Sequence, residues 1–354
     1  MTPPLPNPGI VTVAASFGLL ALTIYFLVVG EAILMPLVLA VFITYLIGAL
    51  GHRVERLKVG AWHPPAWLGL ATAILMVLLI LAVTVQLTAG NIGAVVAAAP
   101  RYQERLQDAF TQGMALAADL LRLDEPPSFA ALAKEIDLRA IVESFAGAFQ
   151  SIAANTFQVF AYVAFLLLEI RTFDRKLKAI FPEPDREAAV RATLAAMGRK
   201  IEAYVLIKTG VSLLNALLTY LILSLFGIDF AGFWALLTFV LNFIPYVGSP
   251  LATLFPTVLT QLQFGSVLTT GMVLGSLVAA HAIVENVIEP QVTGKSLNLS
   301  PVVMIVSISV WGAIWGITGM ILSIPLMVIT MIALAQFPRT RPIAVIMSAS
   351  GDIT

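Results

Sequence analysis

Several runs of about 20 apolar residues recur along this chain, which is the length an α-helix needs to cross a bilayer. Inside hydrocarbon every backbone N–H and C=O must find a partner within the protein, so only helices and closed barrels can span. Continuous rather than alternating apolar runs select helices. Composition agrees, with 59% hydrophobic residues, 11% charged residues and a mean hydropathy of +0.96. The expected fold is all-α: a polytopic helical membrane protein with about eight membrane segments. The 20 Lys and Arg balance 20 Asp and Glu, so no global field draws the chain to nucleic acid. Cysteine is absent, which excludes disulfides and thiolate metal sites, and no cofactor or metal is expected.

The patterning places helices at 10–29, 32–50, 66–88, 152–170, 204–226, 231–262, 266–289 and 302–335. Met1 to Gly9 carries no Lys or Arg, so Ile10–Val29 lacks the basic flank of a secretory signal and reads as a retained first span. The expected organisation is membrane spans over 1–90, an amphipathic extracytoplasmic segment over 91–150, a span with a cytoplasmic surface helix over 151–203, a C-terminal membrane region over 204–338 and a tail over 339–354. Arg53, Arg56 and Lys58 follow the second span and nine basic residues run from Arg171 to Lys208, so both connections are expected in the cytoplasm. Arg339 and Arg341 put the C-terminus on the same side, and an even number of crossings brings the N-terminus there too.

Two stretches are amphipathic rather than spanning. Leu106, Phe110, Met114, Ala117 and Leu121 recur at helical spacing, and Leu138, Ile141, Phe145 and Phe149 repeat the pattern after Asp137. Such helices need a surface to cover, either their own membrane region or a neighbouring subunit, or they act as a gate. Asp185 opens a second stretch, with Val190, Leu194, Met197 and Ile201 on one face, expected on the inner membrane surface.

The C-terminal half carries breaks and charges that an inert bundle would not need. Asn242, Pro245, Tyr246, Gly248 and Ser249 interrupt the apolar run after Ala231, the pattern of a broken or re-entrant helix whose freed backbone lines a substrate path, or else of a proline kink. His281, Glu285 and Glu289 are spaced i, i+4, i+8 on an apolar helix, with Asn286 beside them. Ionisable groups at membrane depth cost about 2.5–3.5 kcal/mol each on insertion scales, so function is their default explanation. Burial makes them able to exchange protons near neutral pH, and Glu285 is the strongest candidate for proton or cation coupling. His281 reads either as a coupling group or as a packing residue held by hydrogen bonds. Whether 231–262 and 302–335 are single helices or hairpins stays open at this stage.

Gly271 and Gly275, and Gly312, Gly316 and Gly319, fit the small-xxx-small pattern of helix packing. Thr293-Gly294-Lys295-Ser296 resembles the tail of a phosphate loop, but Glu289 stands where that loop needs glycine. Neither HExxH nor GxSxG is present, so the chain is not expected to be an enzyme.

The run FIPYVGSP (243–250), followed by ENVIEPQVTGKSLNLSP (285–301) and GAIWGITGMILSIPL (312–326), resembles the autoinducer-2 exporter family of bacterial inner-membrane proteins along nearly the whole chain. Trp311 and Trp315 stand where the family pattern is richer in glycine. The resemblance implies a helical carrier with cytoplasmic termini, assembled as a homo-oligomer such as a pentamer. It also implies a small polar solute as cargo, an autoinducer-2-like signalling furanone, moved by a secondary transporter that uses H+ or no ion at all. Sodium/proton antiport is the alternative the resemblance carries. A non-transporting scaffold acting through the outer segment is a third reading, from a different functional class.

Overall fold

The computed structural model describes residues 9–55, 67–75, 78–79, 102, 105, 111, 138–293 and 298–352. Helices α1 (Ile10–Val29), α2 (Glu31–Glu55), α3 (Leu138–Ile180), α4 (Pro184–Leu225), α5 (Ala231–Leu241), α6 (Gly248–Phe264) and α7 (Val267–Ile283) are followed by a π-helical turn (Val284–Ile288). Then come α8 (Glu289–Thr293), α9 (Pro301–Ala335) and α10 (Arg341–Met347), with no β-strand among the described residues. By length and composition Glu31–Gly51, Pro184–Leu225, Val267–Val292 and Pro301–Ala335 could each cross a bilayer, and the bent pair Thr156–Ile170 and Thr172–Ile180 could make a fifth span. The fold is all-α and polytopic, as the apolar runs require. Most of the expected span at 66–88 and of the segment 91–150 lies outside the described residues, including Leu106, Phe110, Met114, Ala117 and Leu121.

Two expected boundaries vanish. The surface helix opened by Asp185 and the span expected at 204–226 are one unbroken helix, α4, of 42 residues. Nothing between Arg199 and Ile207 stops a helix, and Pro184 with Asp185 and Glu187 in the first turn gives it a favourable start. Likewise α3 joins the amphipathic stretch after Asp137 to the fourth span. The expected divisions at 150/151 and 203/204 therefore fall inside helices.

The chain forms two compact units, one of residues 1–43, 158–183 and 299–354, the other of residues 44–157 and 184–298. In the second, α5 and α6 are the arms of a hairpin. Trp234 of α5 stacks on Phe255 of α6 with ring centroids 6.2 Å apart, a pairing that residues so distant along one helix could not make. The turn at 242–247 has a chemical reason at each position. Pro245 offers no N–H, Tyr246 takes a left-handed φ of 63°, and a Cβ on Gly248 would lie 1.9 Å from the Leu241 carbonyl oxygen. The N–H groups of Asn242, Ile244, Val247 and Gly248 donate to the carbonyls of Thr238, Leu241, Pro245 and Ile244, so the turn needs little water. With 11 and 17 residues, the arms rise about 16 and 25 Å, short of the ~30 Å hydrocarbon thickness. Neither arm alone is long enough to cross, which is the length pattern of a re-entrant hairpin.

The open end of the hairpin is tied down. Gly265 ends α6 with a φ of 63°, and the Ser266 hydroxyl accepts the Thr269 N–H to cap α7. Arg105 donates to the last carbonyls of α6, Leu262 and Gln263, at 3.0 and 2.6 Å. The Tyr102 hydroxyl donates to the Asp229 carboxylate at 2.6 Å, beside an apolar cluster that includes Leu223, Leu259 and Leu277.

In the first unit α9 also folds back on itself. The Ser307 hydroxyl donates to the Ser323 carbonyl at 3.1 Å, although the same separation along a straight helix would be about 24 Å. The reversal lies at Trp315 and Gly316, the latter with φ 58° and ψ −142°. Although α9 is long enough to cross as one helix, it is two antiparallel arms. The Trp315 indole N–H donates to the Leu27 carbonyl at 3.0 Å, holding the bend against the end of α1.

These reversals reassign the glycines expected to pack helices together. Gly316 supplies the bend, and a Cβ on Gly319 would meet the Trp311 carbonyl oxygen at 1.9 Å, so Gly312, Gly316 and Gly319 close one hairpin. Gly271 and Gly275 are exposed, and nothing described lies within 4 Å of where a Cβ would stand, so they make no helix contact among the described residues. Gly319→Ala is expected to cost about 1–3 kcal/mol through overpacking. Gly271→Ala is expected to be neutral or stabilising by up to about 1 kcal/mol, because glycine is a poor helix former. Thermal unfolding of the two purified variants checks this, and equal losses would contradict the folded α9.

Candidate functional site

Helix α4 is amphipathic in the inverted sense. Tyr204, Lys208, Ser212, Asn215 and Thr219, at i, i+4, i+8, i+11 and i+15, are buried, while Leu213, Leu217, Leu221 and Leu225 are exposed. Polar side chains turned inward and leucines outward is the arrangement that hydrocarbon surroundings favour. The stripe faces the hairpin and α7, and hydrogen bonds join the three.

At the tip of the hairpin, Asn242 is 3% exposed. Its Nδ2 donates to Ser212 Oγ at 2.9 Å and its Oδ1 accepts from Asn215 Nδ2 at 3.1 Å. The alternative of a kink whose asparagine satisfies a nearby carbonyl is thus replaced by a side-chain clamp onto α4. Toward the open end of the hairpin, Thr219 Oγ1 lies 3.0 Å from His281 Nε2 and Thr253 Oγ1 lies 3.1 Å from Nδ1. A neutral imidazole donates through one nitrogen and accepts through the other, so both hydroxyls can be satisfied at once. His281 thereby links α4, α6 and α7.

The remaining acidic groups follow on the same face. Ser249 Oγ–H donates to Glu285 Oε1, and Lys208 Nζ lies 2.8 Å from Glu289 Oε1. In an α-helix a four-residue spacing overshoots a full turn by about 40°. The wider π-helical turn at Val284–Ile288 takes that drift back, so His281, Glu285 and Glu289 all reach partners on α4 or α6. Such turns are frequent at functional sites.

The structure therefore brings together Asn242, Ser249, His281, Glu285 and Glu289 of the residues expected from sequence, with Gly248 as the glycine that lets the hairpin close. It leaves three aside. Asn286 is exposed and its amide donates to the Ala282 carbonyl of its own helix at 3.0 Å. Tyr246 is 59% exposed, and Pro245 shapes the turn without a polar side-chain atom to offer. Lys208, Ser212, Asn215, Thr219 and Thr253 were not singled out from sequence. Four of them share one face of α4 at four- and three-residue spacing, a polar period inside an apolar run that could have revealed them. Lys208, counted above among the cytoplasmic charges, is instead 7% exposed.

Asn242→Ala orphans the Asn215 amide and the Ser212 hydroxyl, each at about 1–3 kcal/mol. A clear fall in melting temperature is expected for it and little change for Asn286→Ala, a surface substitution of about 0.5 kcal/mol or less. Comparable losses in the two variants would remove the clamp from the account.

The profile of the AI-2E family transporters matches residues 17–339. The chain is 28% identical to the AI-2 transport protein TqsA of Escherichia coli strain K12 over 337 residues, 94% of each chain. It is 34% identical to a candidate transport protein of Borreliella burgdorferi over 193 residues, 54% of this chain and 53% of that one. A candidate transport protein of Escherichia coli strain K12, YhhT, is 31% identical over 164 residues, 46% of each chain. A helical chain with several helices long and apolar enough to span, matched over nearly its whole length, belongs to the AI-2E family of membrane transporters.

Proposed function

We propose that this protein is a secondary transporter of the bacterial inner membrane that exports a small polar solute, an autoinducer-2-like furanone, along the polar core between α4, the α5–α6 hairpin and α7. The observation that carries the reading is the clamp of Asn242, at the tip of the α5–α6 hairpin, on Ser212 and Asn215. Hydroxyl and amide groups of this kind can exchange hydrogen bonds among themselves for hydrogen bonds to a solute rich in hydroxyls. The likeness to an AI-2 transport protein over 94% of the chain supports the choice of solute. Glu285 is the proton-exchanging group: it sits on the π-helical turn, partly buried, with the Ser249 hydroxyl on one carboxylate oxygen.

Orientation follows from the basic residues. The connection between α3 and α4 is cytoplasmic, with both termini on that side, and the hairpin enters from the outside. The exposed apolar faces then meet lipid or neighbouring subunits of a homo-oligomer, a pentamer in the reading from family resemblance. Sodium/proton antiport is the second reading. It draws on Asn215 Oδ1, which is buried and has no donor among the described residues, as an oxygen that a cation could use.

Release of autoinducer-2 from proteoliposomes under an imposed pH gradient tests the proposal. Native protein is expected to release solute faster than empty vesicles, and Glu285→Gln to lose the stimulation by the gradient. Release equal to empty vesicles from folded protein would overturn export of this solute, and sodium-dependent proton flux in the same vesicles would establish the second reading.

A further inference from the structure

One cluster of titratable side chains lies at the opposite end of the polar core from the mouth of the hairpin. Lys208 and Tyr204 stand one turn apart on the buried face of α4, and Glu289 reaches them from the start of α8. The Lys208 side chain is 8% exposed and Glu289 25%, so this ion pair is largely removed from water. A pair so placed repays its desolvation only when the remaining protons and lone pairs are also satisfied. Here they are not. A lysine ammonium carries three protons, and the hydrogen bond to Glu289 uses one. The Tyr204 hydroxyl is buried and has no hydrogen-bond partner among the described residues, although it lies within electrostatic reach of Glu289. The Tyr204 hydroxyl and two of the ammonium protons are thus left without a partner among the described residues, and they point to a ligand that brings acceptor oxygens and a negative charge.

We propose that Lys208 and Tyr204 form a binding point for a carboxylate- or phosphate-type anion, and that the Glu289 carboxylate is the resident counter-ion which this anion displaces. The inference rests on reading the core as a transport path and adds that the solute, or an ion moving with it, carries an acidic group. Glu289 makes the site self-closing: with no anion present it occupies Lys208, so the more deeply buried charge keeps a partner, and the displaced carboxylate, 25% exposed, is the one of the two that can reach water. Arriving anion and departing carboxylate exchange places on one ammonium.

The test is anion binding by the full-length protein, which needs no transport. Purified protein in neutral detergent is titrated with sodium acetate or sodium phosphate against sodium chloride at matched ionic strength, and thermal unfolding is followed. Native protein is expected to gain melting temperature saturably with acetate or phosphate, and Tyr204→Phe to need more of either anion. Glu289→Gln, which removes the competing charge and keeps the shape, is expected to half-saturate at a concentration lower by about tenfold or more, the scale of a coupling between two ligands. Lys208→Met should show no response; should it not fold, Glu289→Gln carries the test. Half-saturation in Glu289→Gln no lower than in native protein would overturn the proposal, as would an undiminished response in Lys208→Met. Stabilisation by phosphatidylglycerol over phosphatidylcholine in lipid discs, with none by acetate or phosphate, would assign the site to a lipid headgroup and overturn the solute reading. Anion binding without autoinducer-2 release leaves this inference intact, whereas release without anion binding removes it alone.

Discussion

A buried polar side chain must be satisfied by the protein, and among the described residues the side-chain hydrogen bonds of Asn242 are made to α4. The rest of the second unit depends on this contact. Because Asn242 sits at the tip of the hairpin, its bonds to Ser212 and Asn215 fix how far the hairpin enters and which face it turns to α4. That placement brings Ser249 opposite Glu285 and Thr253 opposite His281. Without it α6 would have no fixed register against His281 and Glu285. The close approach at Gly248, 1.9 Å between a hypothetical Cβ and the Leu241 oxygen, is what lets the two arms turn within so few residues.

How much of this the sequence discloses depends on whether the signal is local. The break at FIPYVGSP is legible because proline and glycine act on their own backbone. The return of the chain is not, since a kinked helix and a hairpin share the same local preferences, and the difference lies in Asn242 meeting a helix some 30 residues away. The stripe His281, Glu285 and Glu289 is legible from spacing, but the π-helical turn that keeps all three on one side is not. Asn286, adjacent in sequence, falls off that face for the same geometric reason. Ser212 and Thr219 stayed hidden because small hydroxyl residues in membrane helices often bond back to their own carbonyls, as Thr238, Thr257 and Thr260 do here. Gly271 and Gly275 mark a further limit: small-residue spacing describes one helix face, and among the described residues nothing covers it.

The polar core also bears on the scaffold reading. Buried hydroxyls, two amides, an imidazole and an ion pair all have to be desolvated, and replacing a buried ion pair with apolar residues of similar volume is often neutral or stabilising. A protein that only held partners in place would gain nothing from such a core. A transporter does, because each hydrogen bond between neighbouring helices is one that a passing solute can borrow. The proposed roles of Glu285 near the tip and of Lys208 on α4 with Glu289 at the start of α8 place two exchangeable charges in sequence along one path.

All of this rests on the hairpin entering and leaving by the same side. The native absence of cysteine allows single cysteines at Phe230 and Phe264, just before α5 and at the end of α6, to be labelled with a membrane-impermeant maleimide in right-side-out and inverted vesicles. The account predicts that both react from the same side of the membrane. Labelling from opposite sides would make residues 231–264 a crossing helix and contradict it.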